Sequence, residues 1–289
     1  LAGTGGLWLV QAGSAVREPA VTTDVVEVLA PSWLPEGLVY LDRTRIHALL
    51  PREPAGWQSV DLQQPIDSLP VSALEDQGGR LWVSTRNGHV HVYTWDPAGR
   101  TLQRIAHHAP GSGGLPPGLQ RPQLALLGDR VALFTDTEIL ASAEPAAGFA
   151  KVPALADFSA DAALPLPDGS ALWSVQFKPS GNAAPHALIR VNRDRSANGF
   201  TWEPLTAPGL DHVADITSLS LTGPAGAEVL WVGGETALLR LDLPALQPAK
   251  AMPPVRLQEV QVDAARHAML QPGTTAEFAS RVSRLEFRF

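Results

Sequence analysis

Asp76-Gln-Gly-Gly-Arg-Leu-Trp-Val-Ser-Thr-Arg-Asn-Gly-His-Val-His-Val-Tyr-Thr-Trp95 reads as a strand, a tight turn and a second strand. Leu81-Trp82-Val83 is a short apolar, β-prone run. Asn87-Gly88 is the strongest short hairpin signal, because a type I′ turn needs positive φ at both central residues. Beyond it Val90 and Val92 alternate with His89, His91 and Tyr93, giving one apolar and one mixed face. Upstream, Val71-Ser-Ala-Leu-Glu-Asp76 is a strand ended by Gly78-Gly79. Downstream, Pro97-Ala-Gly99 turns the chain into Thr101-Leu-Gln-Arg-Ile-Ala106. Four short antiparallel strands in about 37 residues make the unit of one propeller blade.

The unit repeats. Gly6-Leu7-Trp8-Leu9, Arg80-Leu81-Trp82-Val83, Ala171-Leu172-Trp173-Ser174 and Val229-Leu230-Trp231-Val232 align on the Leu-Trp pair. Two degenerate copies fall between them, Gly37-Leu38-Val39-Tyr40 and Arg130-Val131-Ala132-Leu133. The mean spacing, about 45 residues, matches the roughly 40–50 of propeller-blade repeats. A lone blade cannot bury both faces, so neighbours must stack on it, and the recurring Trp is expected to fill the gap between blades. The expectation is an all-β chain: a β-propeller of about six to seven four-stranded blades over 1–252. Over 253–289 a truncated β-sandwich-like segment follows. Val25-Val-Glu-Val-Leu29 is assigned to the outer strand of the first blade. The innermost strand of the second is undefined, because Pro31-Ser-Trp-Leu-Pro35 is a poor strand.

Composition agrees. Gly (25) and Pro (26) are abundant without a regular period, as suits a loop-rich β protein. A net charge of −7 with no basic run argues against nucleic acid and anionic membrane surfaces as partners. The absence of Cys excludes disulfides, thiolate catalysis and Cys-based metal sites. No apolar run approaches about 18 residues, so direct membrane insertion is not expected. The sequence begins at Leu1 rather than Met, as expected for a piece excised from a longer protein.

Glu75-Asp76…Gly79-Arg-Leu-Trp-Val-Ser-Thr-Arg-Asn-Gly88 resembles the two-component regulator propeller repeat. In that repeat an acidic pair and a Gly precede Leu-Trp-hydrophobic-x-Thr-x-x-Gly. Glu228-Val-Leu-Trp-Val-Gly-Gly-Glu-Thr-Ala-Leu-Leu-Arg-Leu-Asp242 is similar to a second copy, departing from it at Ala237. Pro253-Pro-Val-Arg-Leu…Val-Gln-Val-Asp263…Arg284-Leu-Glu-Phe-Arg-Phe289 resembles the opening of the triple-tyrosine domain that follows such propellers. The resemblance implies a non-catalytic, periplasmic, ligand-sensing region of an inner-membrane receptor. Its output module would be a histidine kinase or a GGDEF diguanylate cyclase. The implied partners are a small molecule or oligosaccharide and a second copy of the chain, docked through the membrane-proximal domain.

The residues offer little chemistry of their own. His89 and His91, two apart on a strand, share a face and could form a two-His metal edge. Without a third ligand fixed by sequence, the expectation is a structural or solvent-facing role and no metal or cofactor. His107-His108, beside a Gly/Pro loop, are expected to be exposed. Asp136, Asp157, Asp161 and Asp168 could supply a glycosidase-like carboxylate pair, although Asp168-Gly169 is first a turn. Phosphate-binding glycine loops, zincin helices and nucleophile elbows are missing. The ligand-binding candidates are aromatics outside the Leu-Trp register, Trp33, Trp57, Trp95 and Trp202, which could stack on a sugar. Arg86 beside the turn is the fifth. The alternatives to a sensor are a propeller enzyme acting on glycans and a protein-interaction scaffold.

Overall fold

The structure is a computed structural model that describes residues 2–3, 5–11, 14–53, 56–135, 138–177, 186–194, 199–213, 216–224, 226–248, 259–262, 265–267 and 285–288. Two compact units divide it, Leu1–Gln247 and Pro248–Phe289.

The first unit is built of small antiparallel sheets in sequence order. Blade I comprises Glu27–Leu29, Leu38–Leu41, Arg45–Pro51 and Trp57–Pro65. Blade II comprises Pro70–Glu75, Leu81–Thr85, Val90–Asp96 and Thr101–His108. Blade III comprises Gln123–Leu127, Arg130–Phe134, Ile139–Ser142 and Ala150–Lys151. Blade IV comprises Phe158–Pro165, Ala171–Phe177, His186–Asp194 and Gly199–Thr206, with Gln247–Pro248 added at its outer edge. Blade V comprises Ile216–Thr222, Val229–Gly234 and Leu238–Asp242. The first strands of the five lie side by side in succession, which makes the fold a β-propeller arrangement.

Among the described residues there are five blades, not six to seven. The run 25–29, assigned from sequence to an outer strand, supplies the first strand of blade I instead. This leaves Ala2–Gly3, Gly6–Gln11 and Ser14–Arg17 as a three-stranded sheet outside the series. That sheet packs its buried Leu7 with Val21, Val25, Tyr40 and Leu49.

The faces between blades are apolar. Leu81, Val83 and Tyr93 of blade II meet Val39, Leu41 and Ile46 of blade I. On its other face Trp82, Val90 and Val92 meet Val131, Leu133 and Phe149. Each such side chain, fully buried, contributes roughly 1.5–3 kcal/mol relative to exposure. Trp82 and Trp173 are 1% and 0% exposed and fill interblade gaps as expected, but from opposite sides. Trp82 points to the following blade, edge-on to Phe149 (6.0 Å). Trp173 points back to blade III, edge-on to Phe134 (4.6 Å). The cause is a one-residue register difference, which moves every side chain of a strand to the other face. The Ser84 hydroxyl donates to the Pro122 carbonyl (2.6 Å) and the Ser174 hydroxyl to the Ile216 carbonyl (3.0 Å). Each hooks the start of the next blade, so Ser84 corresponds to Ser174 and Trp82 to Leu172. The other two copies differ again: Trp8 is 37% exposed and Trp231 is half-buried, its indole donating to Thr222 Oγ1 (3.0 Å).

In blade II the Glu-Asp…Gly-Arg-Leu-Trp letters form one hydrogen-bonded device. Asp76 Oδ1 accepts from the Gly78 and Arg80 amides (2.9 and 3.0 Å). Asp76 Oδ2 accepts from Arg80 Nε and Trp82 Nε1, both at 2.7 Å. The Asn87-Gly88 turn is not type I′, because only Gly88 has positive φ (+84°). The Gly88 amide donates to the Thr85 carbonyl at 2.9 Å, and a Cβ on Gly88 would lie 2.1 Å from the Leu119 carbonyl oxygen.

In the second unit, Glu259–Val262 pairs antiparallel with Ala265–His267 on one side and Leu285–Arg288 on the other.

Candidate functional site

Blade II carries a cluster of polar side chains that its sequence only half declares. Asp67, His89, His91 and His107 each offer one ligand-type atom, and these atoms lie within 4.8 Å of one another. Asp67 sits in the connection between the outer strand of blade I and the first strand of blade II. His89 ends the turn before Val90–Asp96, His91 is on that strand, and His107 is on the neighbouring outer strand.

A β-bulge makes the cluster. From Asp96↔Thr101 to Tyr93↔Arg104 the pairing is regular; Val92 then faces Ala106, skipping Ile105, and His91 faces His107. Continued without the bulge, the register would set His91 against Ala106 and His107 against Val90, on the face toward blade III. The extra residue re-aims His107 onto the His91 side, a documented use of bulges. Ile105 is left exposed.

Asp67 Oδ2 lies 2.5 Å from His89 Nδ1, and Asp67 Oδ1 lies 3.0 Å from His91 Nε2. His107 Nε2 approaches the same His89 Nδ1 at 3.0 Å. The His91 and His107 rings stack at 4.8 Å and 13°. His91 is 1% exposed, and its Nδ1 is buried without a hydrogen-bond partner among the described residues. Burial pushes the His91 pKa down, against the opposing pull of Asp67. Burial, with repulsion from His89 and Arg104, does the same to His107. Burial alone would raise the Asp67 carboxyl, but hydrogen bonds and charge from His91 and His89 outweigh it and hold Asp67 below the usual range. The result is a carboxylate held ionised beside two imidazoles, His91 and His107, inclined to neutrality.

The five candidate ligand residues do not converge. Trp33 and Trp95 come together, stacked at 4.9 Å and 19°, and pack on the core shared by blades I and II. They lie toward the end of blade II that carries the 76–80 and 97–100 turns, opposite the His cluster. Trp57 packs with Tyr40 and Leu49. Trp202 stands edge-on to Phe158 at 4.8 Å. Arg86 is exposed, with its amide donating to the Leu69 carbonyl and its own carbonyl accepting from the Arg121 amide. Of the histidine pair expected to be exposed, His108 is buried and its Nε2 contacts the Pro145 carbonyl oxygen at 2.8 Å.

Two polar clefts open at opposite ends of the blades. One, of about 240 Å³, is lined by Arg121, Gln123, Thr135, Ser159, Asp161 and Gln176, at the end that carries the His cluster. The other, of about 310 Å³, is lined by Gln77, Asp129, Asp168, Asn192 and Arg193, at the turns between first and second strands. Asp161 and Asp168 therefore line different clefts, and Asp157 is an exposed turn residue. Asp136 lies outside the described residues.

Asp67 escaped the sequence reading, and His107 entered it only as a residue expected to be exposed, which it is, not as a partner of His89 and His91. Hairpin arithmetic around 97–100 places Ala106 opposite His91; only the bulge substitutes His107, and Asp67 lies 24 residues upstream in a loop.

The fold defines a propeller-class β protein. No protein-family model matches the chain, and no curated protein does. Among solved structures, it is similar to the crystal structure of the extracellular domain of a "putative one component system" from B. thetaiotaomicron. The TM-score is 0.54 and the identity 13%; the match covers 95% of this chain and 42% of that one. This chain thus spans less than half the length of that structure, and the likeness establishes the fold. Among the described residues, no helix is long and apolar enough to cross a membrane.

Proposed function

We propose that this chain is a ligand-sensing, extracytoplasmic propeller region of a membrane-bound signalling receptor, itself non-catalytic. The observation that carries the reading is the polar cleft at Arg121, Gln123, Asp161 and Gln176, set at the blade ends between blades III and IV. Guanidinium and amide donors facing a carboxylate acceptor suit a small polar ligand, a sugar hydroxyl array above all. The printed description of the structural neighbour as the extracellular domain of a signalling system supports the setting. So does the resemblance of the 75–88 repeat to regulator propellers. In this reading the segment from 253 opens a triple-tyrosine-like domain that relays a change of orientation or dimerisation to a kinase or cyclase module. The ligand must then bind one receptor state better than the other.

Thermal unfolding against a panel of oligosaccharides, amino acids and small organic acids tests the binding step. At about 100 times Kd, linkage adds about 2.7 kcal/mol of stability, so the expected result is a saturable rise in Tm that Arg121→Ala abolishes. No rise with any class, or turnover of a glycan, would overturn the reading.

A further inference from the structure

We propose that Asp67, His89, His91 and His107 form a structural binding site for a divalent transition-metal ion, Zn²⁺ in the first place. The site lies apart from the polar cleft and does not depend on the sensor reading.

The donor set is three imidazole nitrogens and one carboxylate oxygen, borderline ligands that suit Zn²⁺ and leave Mg²⁺ and Ca²⁺ poorly served. The spacing suits it too. Tetrahedral bonds of about 2.05 Å put neighbouring ligand atoms about 3.3 Å apart. Here the measured neighbours are 2.5, 3.0 and 3.0 Å apart, and no pair of the four exceeds 4.8 Å. Small outward movements of the more exposed Asp67 and His107 would open the set to coordination distance.

Hydrogen bonding alone serves the cluster badly. His89 Nδ1 holds either one proton or one lone pair, yet two groups address it, Asp67 Oδ2 and His107 Nε2. With a proton there, donation goes to the carboxylate and the ring of His107 is left to share it from a second direction. With a lone pair there, it faces the carboxylate oxygen as acceptor to acceptor. A cation among the four atoms removes the conflict, because each offers it a lone pair.

The backbone supplies the second line of support. The bulge at Val92/Tyr93 leaves Ile105 exposed and turns His107 from the blade III side to the blade I side. The same bulge seats Ala106 against the core shared with blade III and His108 edge-on to Phe149, so packing on that face and the His cluster on the other are set by one skipped residue. Metal chemistry asks for the cluster: without the bulge, one of the four ligands faces the wrong way. Four protein ligands close the coordination sphere, the mark of a structural rather than a catalytic zinc site. Such an ion would clip the crossover loop from blade I, through Asp67, to the third and fourth strands of blade II.

The test is titration of the metal-free chain with ZnCl₂ by calorimetry, and with CoCl₂ by visible absorption. The expected results are one ion per chain, a tetrahedral Co²⁺ d–d band displaced by Zn²⁺, and a Tm lowered by chelation and restored by Zn²⁺. His107→Ala replaces an exposed residue and is expected to fold; removing a direct ligand should weaken binding by at least the roughly 10–100-fold that loss of an outer-shell partner costs. His91→Ala, which tests the buried ligand, should do the same, with Asp67→Asn smaller. Absence of saturable binding to the wild type, or binding that His107→Ala and His89→Ala leave unchanged, would overturn the proposal. Neither outcome bears on ligand binding at Arg121, which Arg121→Ala addresses separately.

Discussion

Blades II and IV are spelled alike and wired differently. Both begin with an acidic turn, Asp76-Gln-Gly-Gly in one and Asp168-Gly169 in the other, and both follow it with Leu-Trp. In blade II the Asp76 carboxylate reaches the Trp82 indole (2.7 Å). In blade IV, among the described residues, Asp168 Oδ1 accepts from the Ser170 amide (2.9 Å) and hydroxyl (2.6 Å). Trp173 lies on the other face, and its Nε1 is buried with no hydrogen-bond partner among the described residues. The outer pairs differ as well. Blade IV runs in regular register from Leu188↔Leu205 to Asp194↔Gly199, whereas blade II is bulged. Identical letters therefore do not fix a face; the residue count of the preceding turn does. Blade II's irregularity brings His107 beside His89 and His91, and among the described residues no comparable cluster gathers on blade IV.

The largest expected effect is at Asp76. Asp76→Ala strips four donors of their acceptor, two of them side chains, and should cost about 3–5 kcal/mol by denaturant unfolding. Asp168→Ala, at an exposed turn, should cost less than about 1 kcal/mol. A near-equal pair of values would break the comparison.

Next come the indoles. Trp82→Phe and Trp173→Phe remove the same volume from buried interblade positions. The first loses a made hydrogen bond, whereas the second removes an unmade one. The first should therefore be more destabilising by about 1–3 kcal/mol. Ser84→Ala and Ser174→Ala sharpen the register claim. If both hydroxyls hook the next blade, each should cost about 1 kcal/mol, with the two values within a few tenths of each other.

The smallest effect concerns acid. Burial would raise the Asp168 carboxyl, but the Ser170 hydroxyl and amide outweigh it and hold the folded pKa below 3.8. A lowered folded pKa adds stability above the unfolded value, and that stability is lost as pH falls through the folded one. Asp168→Asn should thus narrow the gap from wild type only below about pH 4, read from tryptophan fluorescence during acid titration.

The propeller class was legible because its signals are local: Leu-Trp recurrence near 45 residues, alternation in 90–93, and Gly/Pro turns. Blade number was less so. Val25-Val-Glu-Val-Leu29 suits a first or a last strand equally well, and only pairing with Leu38–Leu41 decides between them. Of the polar cluster, His89 and His91 were visible as an i, i+2 pair. The other half was hidden because a bulge is a single skipped residue, Ile105, with no letter that announces it. Asp67 enters only through the stacking of one blade on the next. Of the four tryptophans singled out as stacking groups, Trp33 and Trp95 stack on each other while Trp57 and Trp202 pack elsewhere on Tyr40 and Phe158, so the aromatics serve packing between neighbours rather than one shared face.

The most direct measurement is anomalous diffraction at the zinc edge from a crystal of the chain grown with Zn²⁺. The predicted result is one strong peak within about 2.0–2.2 Å of Asp67, His89, His91 and His107 together. That would confirm both the bulged register and its purpose. A map without a peak there, or one with His107 turned toward blade III, would contradict the account.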